Sequence, residues 1–423
     1  MKILSAVVNV LIILALVWRI QPAEKHFRIY YWSGLLFKCT LGIALGLVYT
    51  FYYSGGDTFS FFNNSTQLSQ LARENFTEYL EFLWSSDSAL HVWNQLSDHE
   101  PRTLFMVKLL SLVNLISFDN YWISSLYLSA VSFSGAWVLF RVISNSFEGA
   151  TISAAISFLF LPSAVFWTSG IVKESVAMGC LFYLASLVVK SINRQRWKPL
   201  DWIFLLLTSW FLWNLKYYFI GVLFPVGVSI IVAQRLSEMR FKGRSRVTIL
   251  FFFLLLAILL ALVTVFHPNF EPGYFQEVII LNYNDYLKLS DPENVIHYHQ
   301  LTTDTWSMIK NSPLALASGL FRPFIWESGT FLQFVAGIEN FAILILFISS
   351  LYYIKRIISS KEAPLTIAAI VYITFLCIFL SLSTPNLGTL SRYRVGFLPF
   401  FVFLITLKNP LIDWAANIIK KKK

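Results

Sequence analysis

Long apolar runs recur from one end of this sequence to the other, and they constrain its fold more than any other feature. A helix needs about 20 apolar residues to cross the roughly 30 Å hydrocarbon layer of a bilayer. Apolar runs that approach or reach this length lie at 3–18, 29–53, 122–143, 150–167, 175–189, 200–214, 217–234, 247–266, 333–354, 364–382 and 395–408. Because backbone groups in lipid must be satisfied internally and the runs are too uniformly apolar for barrel strands, we predict an all-α polytopic membrane protein with about eleven transmembrane helices.

The charged residues, only 13% of the 423 positions, are distributed unevenly between the links that join these runs. Lysine and arginine concentrate in links such as 190–198 and 235–246, whereas 54–102 is mostly acidic. Positive charge marks cytoplasmic loops. This pattern predicts an external N-terminus, external loops at 54–121 and 267–327, and a basic cytoplasmic tail at 409–423. The formal charge of +10 is explained by this topology, and no nucleic-acid partner is expected.

The organisation of the chain follows from the same pattern. We predict a single transmembrane domain over 1–423, with no soluble module. Within the two external loops, apolar stretches at 104–117 and 313–325 are too short to span a bilayer, and we expect them to be helices lying in the interface. Cys39, Cys180 and Cys377 fall inside apolar runs without metal-type spacing, so neither a disulfide framework nor a zinc site is indicated.

Two acidic residues stand at the predicted outer boundary of the membrane. Asp57 in SGGDTFSFF follows two glycines that allow a tight turn just beyond the second apolar run. It is either a solvated loop carboxylate or a functional group held at the membrane surface. Glu174 in IVKES lies in the short turn after the run 150–167, where the run 175–189 begins. There it either caps a helix N-terminus, as the helix dipole favours, or takes part in the chemistry.

Several cations occupy positions that the usual charge bias disfavours. Lys216, Arg322, Arg392 and Arg394 are all predicted to face outward. Together they favour an anionic ligand at the outer leaflet, although any one of them alone is explained by snorkelling to lipid headgroups. Lys38 lies about three turns into the second run, so it should face other helices rather than lipid.

The order of these features resembles that of the GT-C class of membrane glycosyltransferases, which includes protein mannosyltransferases and lipid A aminoarabinose transferases. The matching segments are GGD at the start of the first external loop, HEPRTLFMVKLLSLVNLISFDNYW as an interfacial helix, the span closing in LPS, the KES turn, and SRYRVGFLPF near the end. They cover roughly residues 30–190 and the last span. An additional helix precedes the usual first span of the class. A lone Asp57 stands in place of an adjacent acidic pair, so no cofactor is expected and metal dependence stays open.

The residues themselves fit transfer of a sugar from a polyprenyl phosphate. The phosphate leaves as a stabilised anion, so one carboxylate base suffices. Asp57 would take the proton from the acceptor hydroxyl, and Lys216, Arg322, Arg392 and Arg394 would hold the departing phosphate. Glu174 would orient the acceptor or the surroundings of Asp57. Tyr217, Tyr218 and Trp326 either stack on sugar or prenyl groups or belong to the aromatic belt of the interface.

The sequence therefore predicts a GT-C-like hexosyl or pentosyl transferase at the external or periplasmic face of a cytoplasmic (inner) membrane. Its partners would be membrane lipids, a polyprenyl-phosphate-linked sugar donor and an acceptor, which is a glycan, a lipid or a protein. Three alternatives stay open. The nearest is a polymerase or ligase of lipid-linked polysaccharide, the second is a transporter or flippase without chemistry, and the third is a non-catalytic assembly scaffold.

Overall fold

The computed structural model describes residues 2–53, 56–266, 271–327, 329–353 and 362–421. The described residues are mostly helical and contain no β-strand, with one isolated antiparallel bridge between Val295 and Asn386. Seven of the described helices are long and apolar enough to cross a membrane. The prediction of an all-α membrane-type chain is therefore confirmed at this level, while the count of eleven spans is not.

The helices are numbered in chain order. They are α1 (Lys2–Ile20), α2 (Lys25–Phe51), α3 (Asp57–Glu74), α4 (Phe76–Ser85), α5 (Pro101–Ser117), α6 (Tyr121–Ser146), α7 (Thr151–Ala154), α8 (Pro162–Trp167), α9 (Lys173–Ile192), α10 (Pro199–Phe241), α11 (Ser245–Phe266), α12 (Pro272–Leu289), α13 (Thr305–Phe321), α14 (Phe331–Ser350), α15 (Ala363–Ser383), α16 (Leu387–Tyr393), α17 (Leu398–Thr406) and α18 (Pro410–Lys421). The seven of span length are α2, α6, α9, α10, α11, α14 and α15.

Four predicted spans are not separate regular helices. The run 150–167 is broken into α7, a π turn over Ala155–Leu159, and α8. Pro162 starts α8 because proline lacks the N–H needed to continue the preceding turn. The run 395–408 contains only the nine-residue α17 after a 3₁₀ turn. The runs 200–214 and 217–234 form one 43-residue helix, α10, which is interrupted by non-helical backbone angles at Lys216.

The long loops contain more helix than expected. In 54–121, α5 covers the predicted 104–117 segment and begins three residues earlier, where the side chain of Glu100 caps the backbone N–H of Thr103 at 2.8 Å. The same loop also contains α3 and α4. In 267–327, the predicted helix 313–325 is part of α13, which ends earlier, at Phe321. Asp304 caps the N-terminus of α13.

Contacts divide the chain into two compact units. Unit 1 contains Met1–Leu139, Val165–Leu184 and Pro199–Tyr218, and unit 2 contains Phe140–Ala164, Ala185–Lys198 and Phe219–Lys423. Each unit is described by itself below. The single membrane domain over 1–423 stays a prediction.

Unit 1 is built around closely packed helices. Leu68 of α3 is fully buried, as are Met106, Val107 and Leu110 of α5. Small residues let other helices of the unit approach closely, as membrane helices commonly do. A Cβ atom at Gly135 of α6 would overlap the carbonyl of Gly179 in α9.

Unit 2 has its own apolar core. A cluster joins α12, α13 and the segment around α16, and its buried members include Ile279, Ile296, Ala315, Leu387 and Leu390. At Gly319 of α13, an added Cβ would overlap the side chains of Cys377 and Ser381 in α15. Helices α13 and α15 are therefore in close van der Waals contact at this position.

Candidate functional site

Asp57 is the first residue of α3, which follows the span-length helix α2. Gly56 precedes it with φ +115°, a conformation that other residues rarely adopt, so the predicted glycine turn is confirmed at this position. The carboxylate is exposed and lies in the first turn of its helix, where the helix dipole favours a negative charge. The next residue, Thr58, is buried and shares a 2.8 Å hydrogen bond with the Tyr121 hydroxyl. This bond fixes the start of α3.

Glu174 and Lys216 form a buried ion pair within unit 1. Lys216 Nζ lies 3.0 Å from Glu174 Oε1, and the two side chains are 8% and 1% exposed. Glu174 is in the first turn of α9, whereas Lys216 occupies the point where α10 departs from helical geometry. Sequence reasoning assigned these two residues to separate roles. Here they neutralise each other.

A second ion pair adjoins the first. Lys173 Nζ lies 3.2 Å from Glu100 Oε2 and donates a 2.8 Å hydrogen bond to Thr103 Oγ1. The other oxygen of Glu100 accepts a 2.6 Å hydrogen bond from Arg102 Nε. Lys173 also interacts electrostatically with both Glu174 and Lys216. Glu100, Arg102, Lys173, Glu174 and Lys216 are therefore one group, called here the charge cluster of unit 1.

At the exposed end of this cluster, neighbouring cations lower the pKa of the Glu100 carboxyl group. Partial burial opposes ionisation of Glu100, but Lys173 and Arg102, with a hydrogen bond from Thr103, outweigh it and lower the pKa of Glu100 to about 2. The side chains of Arg102 and Glu100 are 45% and 37% exposed. The charge cluster thus extends from a partly exposed ion pair at the start of α5 to an almost completely buried ion pair at the α10 kink.

Two of the predicted aromatic residues flank the cluster. The guanidinium of Arg102 lies 5.6 Å from the centroid of the Tyr217 ring, and Lys216 Nζ lies 5.8 Å from that of Tyr218. Both distances are in the range of cation–π interactions. The tyrosines are partly buried, so they contribute to positioning the cations within unit 1.

Lys38 is buried in α2, as expected, and faces other helices. Its ammonium donates to the hydroxyl of Thr168 and lies 3.5 Å from the carbonyl of Val165. These acceptors are at the C-terminal end of α8, where a cation interacts favourably with the helix dipole. The Lys38 ammonium is therefore held by two polar groups of unit 1, a side-chain hydroxyl and a backbone carbonyl.

In unit 2, Arg322 forms a two-point ion pair with Glu327. The Nε–Oε2 distance is 3.0 Å and the Nη2–Oε1 distance is 2.7 Å. Trp326 is 76% exposed, and its ring stacks on Phe324 with centroids 4.9 Å apart. Arg322 therefore carries its own counter-charge, which reduces its capacity to bind a further anion.

Arg394 is the most unusual cation of unit 2. It is completely buried, and its Nη1 atom donates a 3.2 Å hydrogen bond to the carbonyl of Arg322. Its Nε and Nη2 atoms have no hydrogen-bond partner among the described residues. Glu339 interacts with it electrostatically. That carboxylate, however, is bonded to the backbone N–H and hydroxyl of Ser163 at the start of α8.

Arg392 of the same segment is partly buried in α16. Arg394 has buried donors that a bound anion would satisfy, since an unpaired buried N–H is costly. A guanidinium presents its donors as a planar fork, which matches phosphate and carboxylate groups. The arrangement therefore fits recognition of an anionic group.

Sequence reasoning missed part of the charge cluster. The sequence places Glu100 and Arg102 only in the segment of the interfacial helix, and Lys173 only in the KES turn. The acid–proline–arginine order of HEPRTL at the start of α5 was the available signal. Within the described residues, no group of three or more His, Cys, Asp or Glu residues could hold a metal ion, and the metal question stays open.

Comparison with known proteins does not assign the chain to a family. The GT-C resemblance is therefore supported by the sequence motifs alone. No family model matches the chain, and neither a curated protein nor a solved structure shows significant similarity to it.

Proposed function

We propose that this protein is a membrane glycosyltransferase that moves a hexosyl or pentosyl group from a polyprenyl-phosphate donor to an acceptor at the outer face of a cytoplasmic membrane. The observation that carries the proposal is Asp57, an exposed carboxylate at the first turn of α3, directly after a span-length helix. Its backbone is fixed by the Gly56 turn and by the bond between Thr58 and Tyr121. A base for an acceptor hydroxyl needs this combination of access and fixed position.

The proposed reaction needs one base and one source of positive charge. The acceptor oxygen attacks the anomeric carbon while the bond from that carbon to the phosphate oxygen breaks. Asp57 takes the proton of the acceptor hydroxyl, and the polyprenyl phosphate leaves with the bonding electron pair. Cations stabilise the charge that develops on the phosphate.

The charge cluster of unit 1 supports an anionic substrate. It contains three cations, Arg102, Lys173 and Lys216, and two carboxylates, Glu100 and Glu174, so it carries one net positive charge when all five are ionised. Because Lys216 is already paired, we assign Glu174 to positioning Lys216 rather than to direct contact with the acceptor. Tyr217 and Tyr218 would stack on the donor's sugar or prenyl group beside these cations.

In unit 2, the role of binding the lipid phosphate stays with Arg322, Arg392 and Arg394. The unsatisfied buried N–H groups of Arg394 are the main support for it. Trp326 is exposed enough to contact a sugar or prenyl chain. The finer topology belongs to the same proposal: a GT-C-like fold, the N-terminus outside, the C-terminus in the cytoplasm, and eleven crossings in which 150–167 and 395–408 would cross as broken segments.

The test uses the full-length protein in proteoliposomes with a panel of radiolabelled decaprenyl-phosphate hexoses and pentoses. We expect Asp57→Asn to lower sugar transfer at least about 100-fold, while Asp87→Asn, an exposed residue of the same loop, leaves it unchanged. Normal transfer by a correctly inserted Asp57→Asn variant would remove Asp57 as the base. Activity only on diphosphate-linked oligosaccharides would instead favour a polymerase or ligase.

A transporter or flippase is the second candidate, and two observations favour it. α10 is interrupted at Lys216, where a buried ion pair lies, and the run 150–167 is broken. Interrupted helices with buried charges are typical of transporters. Movement of a fluorescent decaprenyl-phosphate sugar between leaflets, without release of decaprenyl phosphate, would support this candidate over the transferase.

A further inference from the structure

The serine of the LPS segment binds a carboxylate from a distant part of unit 2. Ser163 is at the start of α8, and Glu339 belongs to α14. The backbone N–H of Ser163 donates a 2.8 Å hydrogen bond to Glu339 Oε2, and the Ser163 hydroxyl donates to Oε1. Both oxygens of this carboxylate are therefore bonded to one residue, which lies 176 positions away in the chain.

Glu339 is close enough to Arg394 to interact with it electrostatically. Asn340, the residue after Glu339, donates a 2.9 Å hydrogen bond to the carbonyl of Pro323. Arg394 Nη1 donates to the carbonyl of Arg322, the residue before Pro323. Nevertheless, Nε and Nη2 of Arg394 have no hydrogen-bond partner in the part of the chain that the structure describes. The buried guanidinium thus lies near a carboxylate to which it is not bonded.

Arg322 shows how a carboxylate of this unit binds a guanidinium. The N–H groups of Nε and Nη2 lie side by side on one edge of the planar group, and they match the two oxygens of a carboxylate. Arg322 uses this edge to bind Glu327, with an Nε–Oε2 distance of 3.0 Å and an Nη2–Oε1 distance of 2.7 Å. In Arg394 the same edge is unsatisfied. We therefore expect Glu339 to bind that edge if Ser163 releases it.

We propose that Ser163 is a positioning residue, which holds the Glu339 carboxylate away from Arg394 and so keeps the Nε–Nη2 edge of Arg394 available to the phosphate of the lipid-linked donor. The inference rests on the proposed function for the identity of the anion. Release of Glu339 would neutralise Arg394 internally, and the donor phosphate would then compete with a carboxylate of the same chain. Ser163 acts through Glu339 and does not contact the substrate.

Binding of radiolabelled decaprenyl phosphate to the full-length protein in nanodiscs tests the proposal. Ser163→Ala removes the hydroxyl that binds Oε1 of Glu339. If the released carboxylate pairs with Arg394 in about nine-tenths of the molecules, only about one tenth can bind phosphate, and the apparent Kd rises about tenfold. Ser163→Thr keeps the hydroxyl and should bind like the native protein. Ser163→Ala/Glu339→Gln should recover the native Kd, because a neutral amide does not neutralise the guanidinium.

The matched control is a second serine of the same broken run. Ser157 donates a 2.7 Å hydrogen bond to the carbonyl of Ser153, so Ser157→Ala also removes one buried hydroxyl and should leave the Kd unchanged. A native Kd in Ser163→Ala would overturn the inference. So would a weakened Kd that the added Glu339→Gln change does not restore, because the loss would then not depend on the released carboxylate.

A second experiment needs no ligand, so it decides the inference even if the native protein does not bind decaprenyl phosphate, a result that would contradict the proposed function. Glu339→Gln and Arg394→Met are made singly and together, in the native and the Ser163→Ala backgrounds. The departure of their unfolding-midpoint shifts from additivity measures the coupling of the two side chains. We expect a larger departure in the Ser163→Ala background, where Glu339 pairs with Arg394. Equal departures in the two backgrounds would overturn the inference.

Discussion

Buried charge is balanced differently in the two units. In unit 1, Lys216 lies 3.0 Å from Glu174, and both side chains are almost completely buried. In unit 2, Arg394 is completely buried, but no carboxylate of the described residues forms an ion pair with it, and the nearby Glu339 is bonded to Ser163. Unit 1 thus contains a closed pair, a buried cation neutralised by a carboxylate. Unit 2 contains an open cation, a buried guanidinium without such a carboxylate.

This difference separates structural from ligand-binding roles. A buried pair that is already neutralised contributes to positioning, and removal of one partner leaves an isolated charge in a poorly solvated place. A buried guanidinium with unsatisfied donors is costly by itself and gains most from a ligand that supplies acceptors. We therefore expect changes in unit 1 to affect stability first, and changes at Arg394 to affect anion binding first.

The largest effect is expected at the closed pair. Glu174→Gln should lower the free energy of unfolding by about 3–5 kcal/mol, because Lys216 stays buried without its counter-charge. The double variant Glu174→Gln/Lys216→Met should recover most of this loss. The measurement is the unfolding midpoint in detergent, followed by denaturant titration.

An exposed pair provides the control for that experiment. Arg194, whose side chain is 65% exposed, pairs with Glu238 in unit 2. Arg194→Gln should change the free energy of unfolding by only about 0–1 kcal/mol, since solvent screens exposed pairs. If Glu174→Gln and Arg194→Gln lose equal stability, or if the double variant recovers none of it, the Glu174–Lys216 pair does not stabilise the fold as proposed.

At Arg394 we expect the opposite pattern. Arg394→Met should leave the free energy of unfolding within about 1 kcal/mol of the native protein, because it removes a desolvated charge with a similar side-chain length. Transfer from decaprenyl-phosphate sugars should fall about 100-fold. Arg394→Lys should not restore it, since an ammonium lacks the planar fork. A large loss of stability with unchanged transfer would make Arg394 a structural residue.

Much of the helical framework could be predicted from the sequence because apolar run length reports membrane-type helices directly. The predicted spans that differ from the observed helices differ for local reasons. Pro162 and the π turn before it break the run 150–167, and a run length cannot reveal such a break. In α10, no glycine or proline lies within four residues of Lys216 to mark the interruption.

The site was less predictable because pairing depends on contacts between distant parts of the chain. The glycine turn before Asp57 is a local feature, and it was identified correctly. Lys216 and Glu174 are 42 positions apart, and Lys173 and Glu100 are 73 apart. Charge sign and predicted side of the membrane cannot indicate which of several acids a lysine contacts.

A smaller effect is expected where helices of unit 1 touch. Gly135→Ala should lower the free energy of unfolding by about 1–3 kcal/mol, because the new methyl group overlaps the carbonyl of Gly179. In unit 2, Gly149→Ala meets no atom within 4 Å but must adopt a φ of +76°, which costs about 1–2 kcal/mol. The stability of both variants is measured by thermal unfolding. An unchanged unfolding temperature in Gly135→Ala would show that the contact is not tight.

The smallest effect is the pH dependence of the exposed end of the charge cluster in unit 1. The pKa of Glu100 is about 2 in the folded chain, against an ordinary value of 4.5. A depressed carboxyl pKa stabilises the folded state above pH 4.5, and this stabilisation is lost as the pH falls from 4.5 toward 2. Because the side chain is 37% exposed, solvent limits this stabilisation to about 1 kcal/mol or less.

The unfolding midpoint should therefore drop less between about pH 6 and pH 3 in Glu100→Gln than in the native protein. Glu81→Gln, on the exposed surface of α4, should behave like the native protein. An unchanged slope in Glu100→Gln would show that Lys173 does not depend on Glu100 for its counter-charge.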